Sequence, residues 1–145
     1  MRVVEPSTPF AAFDSSLILF FGNHGKDAFL AWGSFSLGAE NDGIDPLAEP
    51  VMVSLADTVG TFFTQTLSPG SFELFRKGGF LFHAPRGSTG IRLMIIRPTE
   101  SAGEFTFIVL GKRLDLRGAE NVFVTVSLQI GNDADGIPDE FDVPD

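Results

Sequence analysis

Short apolar segments separated by turn residues run along most of the chain. The run "SLILFFG" (16–22) is continuously apolar, whereas "AFLAWGSFSL" (28–37) mixes apolar with small residues. Further strand-like segments, rich in β-branched and aromatic residues, lie at 51–55, 61–67, 71–75, 79–84, 91–96, 104–110 and 122–130. Turn signals such as "SPG" and "RKGG" separate them. With no sustained helical period, the pattern predicts an all-β fold of about eight or nine strands, a sandwich or a barrel. We expect a two-sheet β-sandwich, immunoglobulin-like or jelly-roll-like.

A short internal repeat divides the chain. Gly-Ala-Glu-Asn occurs at 38–41 and again at 118–121, and each copy precedes a strand that contains Val-Ser-Leu. Two copies of one unit that pack face to face would bury two apolar sheet faces. The repeat therefore predicts two related halves. Two pairs of core positions should then be equivalent: Val53 with Val126, and Leu55 with Leu128.

Composition limits the classes of partner. The 145 residues fit one domain with a sizeable core, and 43% of them are apolar. Nineteen acidic and ten basic residues give a formal charge of −9, which argues against nucleic acid and anionic membrane surfaces, since both require basic patches. No run approaches the ~18 apolar residues of a membrane span, so we expect no membrane insertion. The chain has no cysteine, which excludes disulfides and thiolate chemistry.

The chain divides into three predicted parts. Residues 1–16 form an extended arm, in which Pro6 and Pro9 restrict the backbone. Residues 17–130 form the sandwich, and residues 131–145 form an acidic tail. The start, "MRVVEPSTPF", lacks the apolar run of a signal peptide.

The tail "GNDADGIPDEFDVPD" (131–145) carries six acidic and no basic residues. It matches a calcium loop of the type D-x-D-x-D-G-x-x-D-x-x-D at every ligand position except the first, which is Gly131. Asn132, next to Gly131, could supply that oxygen. The other predicted ligands are the side chains of Asp133, Asp135, Asp139 and Asp142 and the carbonyl of Ile137. Calcium is the predicted cofactor, and a solvated acidic terminus is the alternative.

A second acidic cluster lies at "GAENDGIDPLAEP" (38–50). It suggests a further metal or inter-subunit site, although Asn-Asp-Gly and Asp-Pro also form turns whatever binds there, and the turn is favoured. The corresponding second copy of the repeat offers few oxygens. The candidate residues of this site are Glu40, Asp42, Asp45, Glu120 and Asn121.

Two resemblances add to this picture. The order "DPLAEPVMVSL", "LSPGSFELF" and "VFVTVSLQIGND" resembles a repeated β-rich module of secreted and surface proteins of bacteria, over about residues 17–133. Residues Asn121-Val122 depart from it, because a proline is expected there. The stretch "DGIPDEFD" is similar to the calcium-binding type 3 repeats of thrombospondin-like proteins. The resemblances imply an extracellular structural module that binds calcium.

Candidate catalytic residues are few. His24 lies in the turn "GNHG", and His83 ends the strand "FLFHA". The stretch "GSTG" (87–90) is a turn and not a nucleophile elbow, and no zinc-type histidine pair or phosphate loop occurs. Carboxylate pairs could serve a glycosidase, but they cluster where calcium would hold them. We therefore expect no enzyme.

The sequence favours an extracellular structural protein that assembles with copies of itself into a fibre or surface array. The alternative is an adhesive or ligand-binding β-sandwich module of a larger bacterial surface protein; near absence of Trp and Tyr weakens a sugar-binding role. In the fibre, the loop 38–50 and Glu120 lie at one end of the sandwich and the tail at the other, about 30 Å away. Asp42, Asp45 or Glu120 of a neighbour would complete the calcium loop, head to tail.

Overall fold

The computed structural model describes residues 8–9, 12–22, 26–37, 44–56, 60–114, 125–131 and 133–135. Within these ranges the chain is all-β, apart from a 3₁₀ turn at Arg76–Gly78. No helix there has the length and apolar character to cross a membrane. The strands are β1 Thr8–Pro9, β2 Ala12–Phe20, β3 Asp27–Ser36, β4 Val51–Ala56, β5 Thr61–Leu67, β6 Glu73–Phe75, β7 Gly79–His83, β8 Gly90–Pro98, β9 Glu104–Leu114, β10 Thr125–Ile130 and β11 Asp133–Asp135.

The strands form two sheets. One has five strands in the order β1-β11-β10-β4-β5, and the other has six in the order β2-β3-β9-β8-β7-β6. Neighbouring strands are antiparallel except β1 and β11, which are parallel. The chain changes sheet after β1, β3, β5 and β9. The predicted two-sheet β-sandwich is confirmed.

A single apolar core lies between the sheets. Phe29 of β3 contacts Phe63 of β5, with ring centroids 5.2 Å apart. The sheets are also joined by a hydrogen bond, because the Ile91 N–H donates to Gln65 Oε1 at 2.8 Å. Each long strand alternates between core and outward side chains. The core consists of Phe29, Ala31, Phe35, Val51, Val53, Leu55, Leu67, Phe72, Ile91, Met94, Ile96, Phe107, Val109, Leu114, Val126, Leu128 and Ile130.

The strand order has the internal symmetry that the repeat predicts. Exchanging β2 with β8, β3 with β9, β4 with β10 and β5 with β11 reverses the order of the shared strands in both sheets and leaves the neighbours unchanged. The two Val-Ser-Leu segments are direct neighbours in β4 and β10, where Ser54 pairs with Ser127. Val53 pairs with Leu128 and Leu55 with Val126, and all four are buried. The two Gly-Ala-Glu-Asn copies lie outside the described residues.

One predicted domain boundary falls within a strand, and the other falls at the end of a strand. β2 begins at Ala12 and so runs through the boundary expected after residue 16. Phe13 ties this part of the strand to the core, because its ring stacks on Phe107 with centroids 5.7 Å apart. At the other end, Asp133–Asp135 of the tail extend the five-stranded sheet as β11.

Candidate functional site

The acidic turn at 45–49 and the start of the tail lie at the same end of the sandwich. β4 begins at Val51 and β10 ends at Ile130, and these residues are partners in the antiparallel pairing. The N–H of Gly131 donates to the carbonyl of Pro50 at 2.8 Å. The segment that enters β4 therefore contacts the segment that leaves β10.

Gly131 is required by the tight reversal between β10 and β11. Ile130 pairs with Asp133, so the chain turns back within two residues. Gly131 has φ +60°, a conformation that favours glycine. A Cβ at this position would lie 2.5 Å from Glu49 Oε2. The missing ligand at the first position of the predicted calcium loop therefore has a structural cause, and the Glu49 carboxylate of the same chain lies beside it.

Asp45 closes a turn with its own main chain and side chain. Its carbonyl accepts from the N–H groups of Ala48 and Glu49, each at 2.9 Å. Its Oδ1 accepts from the Leu47 N–H at 3.2 Å, and the Asp45 N–H donates to Glu49 Oε1 at 2.8 Å. At Asp45 the structure thus has the turn that the sequence offered as the alternative to a metal site. The same bonds hold the two carboxylates in place.

The described residues contain no group of three or more metal-ligating side chains. Of the predicted ligands, Asp133 and Asp135 lie in β11, where their main chains pair with β10. Calcium takes six to eight oxygens, and Asp45 and Glu49 offer only part of such a shell. The remaining predicted residues lie outside the described part of the chain: Glu40, Asp42, Glu120, Asn121, Asn132, Ile137, Asp139 and Asp142. Calcium binding stays a prediction.

The expected separation of the two acidic segments is wrong for the residues that the structure describes. The equivalence of the two repeats predicts that the loop 38–50 lies at the opposite end from the tail. Because β4 and β10 are antiparallel neighbours, the start of β4 lies beside the end of β10, and residues 45–50 meet Gly131 within one molecule. Asp45 therefore cannot reach a neighbour's tail from the far end, and the head-to-tail contact loses this part of its geometric basis.

A second feature is an apolar surface on the outside of the six-stranded sheet. Cross-strand partners have their side chains on the same face of a sheet, so the pairing register shows which residues form rows. One row contains Ile18, Leu30, Leu110 and Leu93 and ends at His83 on β7. The next row begins at Ser16 on β2 and continues with Trp32, Ile108, Ile95 and Leu81. We call the eight apolar side chains of these two rows the outer apolar face.

The outer apolar face is separate from the core. On β3, β9 and β8 its members alternate with buried residues, such as Phe29 and Ala31 on either side of Leu30. None of the eight belongs to the core or packs against it. Ile18 is 43% exposed and Trp32 38% exposed, and the other six are half-buried. The six-stranded sheet is therefore apolar on both faces across the middle of β3, β9 and β8, and β2 adds Ile18 to the outer side.

Polar and charged residues border the outer apolar face. Beyond the Trp32 row lies a polar row of Asp14, Ser34, Thr106 and Arg97. At the far edge of the sheet, Glu73 Oε2 lies 3.9 Å from His83 Nε2, and both side chains are 64% exposed. Phe75 lies at that corner, with the guanidinium groups of Arg76 and Arg97 within 5.9 Å of its ring centre. An apolar centre with a polar rim is the usual anatomy of a protein interface.

Sequence reasoning missed this surface, although a signal was present. The segments "LMII" (93–96) and "FIVL" (107–110) are apolar at successive positions, and not at every second one. Strands with both faces covered have this pattern, whereas a strand with one face in water alternates between apolar and polar residues.

The contact between the exposed side chains of His83 and Glu73 is a surface pair of the kind that contributes little to stability.

The surface of the described chain thus presents two features of different chemistry, the acidic end at 45–50 with 131–135 and the outer apolar face. Function has to be inferred from these features themselves. Comparisons with protein-family models, with curated proteins and with solved structures found no match to this chain.

Proposed function

We propose that the chain is a non-enzymatic extracellular structural protein, a calcium-stabilised β-sandwich subunit that assembles with copies of itself into a fibre or surface array. The outer apolar face is the observation that carries this proposal. Exposed contiguous apolar patches rimmed by polar residues mark protein interaction sites. Catalysis instead requires polar groups that converge in a concave site.

The outer apolar face suits contact with a protein surface. It consists of seven aliphatic side chains and one indole from five adjacent strands, which the hydrogen-bonded sheet holds in fixed positions. Sheets pack face to face at about 10 Å when their facing side chains interdigitate. A second sheet can therefore cover this face in the same way that the two sheets of the sandwich cover each other.

Calcium would act at the acidic end of the sandwich. Asp45 and Glu49 supply carboxylate oxygens beside Gly131, where the tail begins, and such oxygens are the ligands that a hard cation prefers. The bound ion would offset repulsion between these acids and the predicted ligands of the tail, such as Asp135. Glu49 and Asp45, which hydrogen bonds already hold in place, would then supply the fixed ligands, and the tail would supply the others.

Thermal unfolding with calcium and with a chelator tests the calcium part of the proposal. A ligand that binds only the folded state at a hundredfold excess over its Kd stabilises it by about 2.7 kcal/mol. We expect calcium to raise Tm, and Asp135→Ala to remove most of that rise. Glu100→Gln, an exposed acid in a turn outside the predicted calcium ligands, is the matched control. An unchanged Tm on adding chelator contradicts calcium binding.

Electron microscopy of the purified protein tests assembly. We expect ordered assemblies when calcium is present and shorter or dissolved ones in chelator. A monodisperse monomer at high protein concentration with calcium present contradicts self-assembly. That result would favour an adhesive or ligand-binding module as the function.

A further inference from the structure

We propose that the outer apolar face is the interface between two copies of this chain, packed face to face about a twofold axis parallel to the strands. This inference rests on the proposed function, because it names the partner and the contact through which self-assembly begins. The size of the face, the charges along its border and the pairing register support it.

The outer apolar face has the size of an interaction patch. Its members come from the five adjacent strands β2, β3, β9, β8 and β7, in two rows that lie two residues apart along the strands. At spacings of ~4.8 Å between strands and ~3.3 Å per residue, two rows on five strands cover roughly 24 Å by 13 Å, or about 300 Å² in projection. A patch of this size is in the range of the largest apolar patches on protein surfaces, which are often functional. The ~800 Å² per partner of a standard interface is reached when the bordering polar row and the strand ends are buried as well.

The border charges select one orientation of the two copies. The polar row beside Trp32 has Asp14 at its β2 end and Arg97 at its β8 end, with Ser34 and Thr106 between them. A twofold axis parallel to the strands, placed over the β3–β9 pair, brings Asp14 of one copy opposite Arg97 of the other. It does so twice, because the interface is isologous.

The same axis brings the central members of the apolar rows together, whereas Ser16 faces Ile95 and Leu81 lies beyond the four matched strands. Trp32 of one copy then faces Ile108 of the second copy, and Leu30 faces Leu110 of the second copy. A twofold axis across the strands would instead place Asp14 against the exposed Phe20 and leave the Arg97 charge without a partner. The strands of two aligned, packed sheets cross at about −30°. The strands of each copy would therefore lie about 15° from the twofold axis, on opposite sides of it.

An isologous contact closes after two copies, so this pair is the building unit and not yet a fibre. Face-to-face packing leaves the end of the sandwich at 45–50 and 131–135 outside the interface. The acidic end therefore remains available for the contact that extends an assembly. Pair formation through the face and calcium dependence of longer assemblies should be separable.

Trp32 provides a direct probe, because it is the only tryptophan of the chain and one of the eight side chains of the face. We expect light scattering to show a monomer–dimer equilibrium. Across the same protein concentrations, Trp32 emission should shift to the blue and acrylamide quenching should fall. Ile108→Lys should weaken the dimer at least about a hundredfold and return Trp32 to the solvent-exposed state. Thr66→Lys, an exposed strand position of the other sheet, should leave the dimer unchanged.

Charge reversal tests the orientation. Asp14→Arg and Arg97→Asp should each raise the dimer dissociation constant about tenfold, since each places like charges together at two symmetric positions. The double variant Asp14→Arg/Arg97→Asp should restore the wild-type value. Both residues are exposed, so circular dichroism and Tm should confirm that the fold is retained.

Three results would overturn the inference, and a fourth would overturn only the orientation of the two copies. A dimer or larger assembly that is insensitive to Ile108→Lys would mean that copies meet elsewhere, although self-assembly would stand. A monomer with freely quenched Trp32 would remove both the interface and self-assembly. A monomer with protected Trp32 would mean that another part of the chain covers the face. Loss of the dimer in Ile108→Lys without rescue by the double charge reversal would keep the face and reject the axis.

Discussion

Replacing Gly131 by alanine adds one methyl group where the chain reverses between β10 and β11, and it should destabilise the acidic end of the sandwich. Two separate costs arise. The first is backbone strain, because alanine must adopt φ +60°. The second is steric, because the new Cβ would lie 2.5 Å from Glu49 Oε2.

The structure sets the size of each cost. Holding an L-residue in the left-handed region costs about 1 kcal/mol. The Glu49 carboxylate ends a flexible side chain and can move away, so the steric cost is the hydrogen bond that it gives up with the Asp45 N–H at 2.8 Å. A bond of this kind contributes about 1 kcal/mol. Gly131→Ala should therefore lower the free energy of unfolding by about 2 kcal/mol and Tm by roughly 6–8 °C.

Urea denaturation followed by Trp32 fluorescence measures this free energy, and a double-mutant cycle separates its two parts. In a Glu49→Ala background, Gly131→Ala should cost only the strain, about 1 kcal/mol. Gly131→Asn should be milder than Gly131→Ala, because asparagine tolerates the left-handed region better. Equal costs of Gly131→Ala in the two backgrounds would refute the contact with Glu49. Equal costs of alanine and asparagine would refute the backbone strain.

Two further predictions concern the sandwich itself. Gly33→Ala should cost more than about 2 kcal/mol in urea denaturation, because its Cβ would clash with the main-chain carbonyl of Asp14 on β2, which cannot rotate away; a near-neutral result would show that the β2–β3 approach is looser than described. Leu128→Ala, at a residue 1% exposed, should cost about 2–5 kcal/mol through the cavity that it leaves. Leu74→Ala, at a residue 70% exposed, should change stability by less than about 0.5 kcal/mol, and similar losses for the two leucines would contradict the assigned core.

The features that depend on local pattern could be predicted from the sequence. Alternation and turn residues indicate strands, and the Val-Ser-Leu repeat indicates two equivalent core strands. Val53 and Leu128 are indeed buried partners in adjacent strands. Strand limits were less accurate, because Ala12–Ser15 joins β2 without a strong apolar signal; its main chain pairs with β3, and Phe13 anchors it.

The features that depend on long-range pairing could not be predicted. Residues 45–50 precede β4. The strand that pairs with β4, and the direction of that pairing, decide which neighbours these residues have at their end of the sandwich. The repeat predicts that the segments before β4 and before β10 occupy equivalent positions. Because β4 and β10 are antiparallel neighbours, these segments lie at opposite ends of the sheet, and Glu49, which precedes β4, lies beside Gly131, which follows β10. The outer apolar face escaped notice for a related reason. A continuous apolar run shows that both faces of a strand are apolar. It does not show whether the second face is covered by the same chain or lies on its surface.

The parallel pairing of β1 with β11 determines how the sandwich would respond to tension along the chain. Thr8 pairs with Asp133 and Pro9 with Ala134. Pulling the chain N-terminally from residue 8 and C-terminally from residue 135 moves the two strands in opposite directions along their length. Their hydrogen bonds are then loaded in shear, together, instead of opening one after another as in a hairpin pulled apart from its free ends. The bridge is only two residue pairs long, so it would act as a small mechanical latch that yields before the central strands β4 and β10.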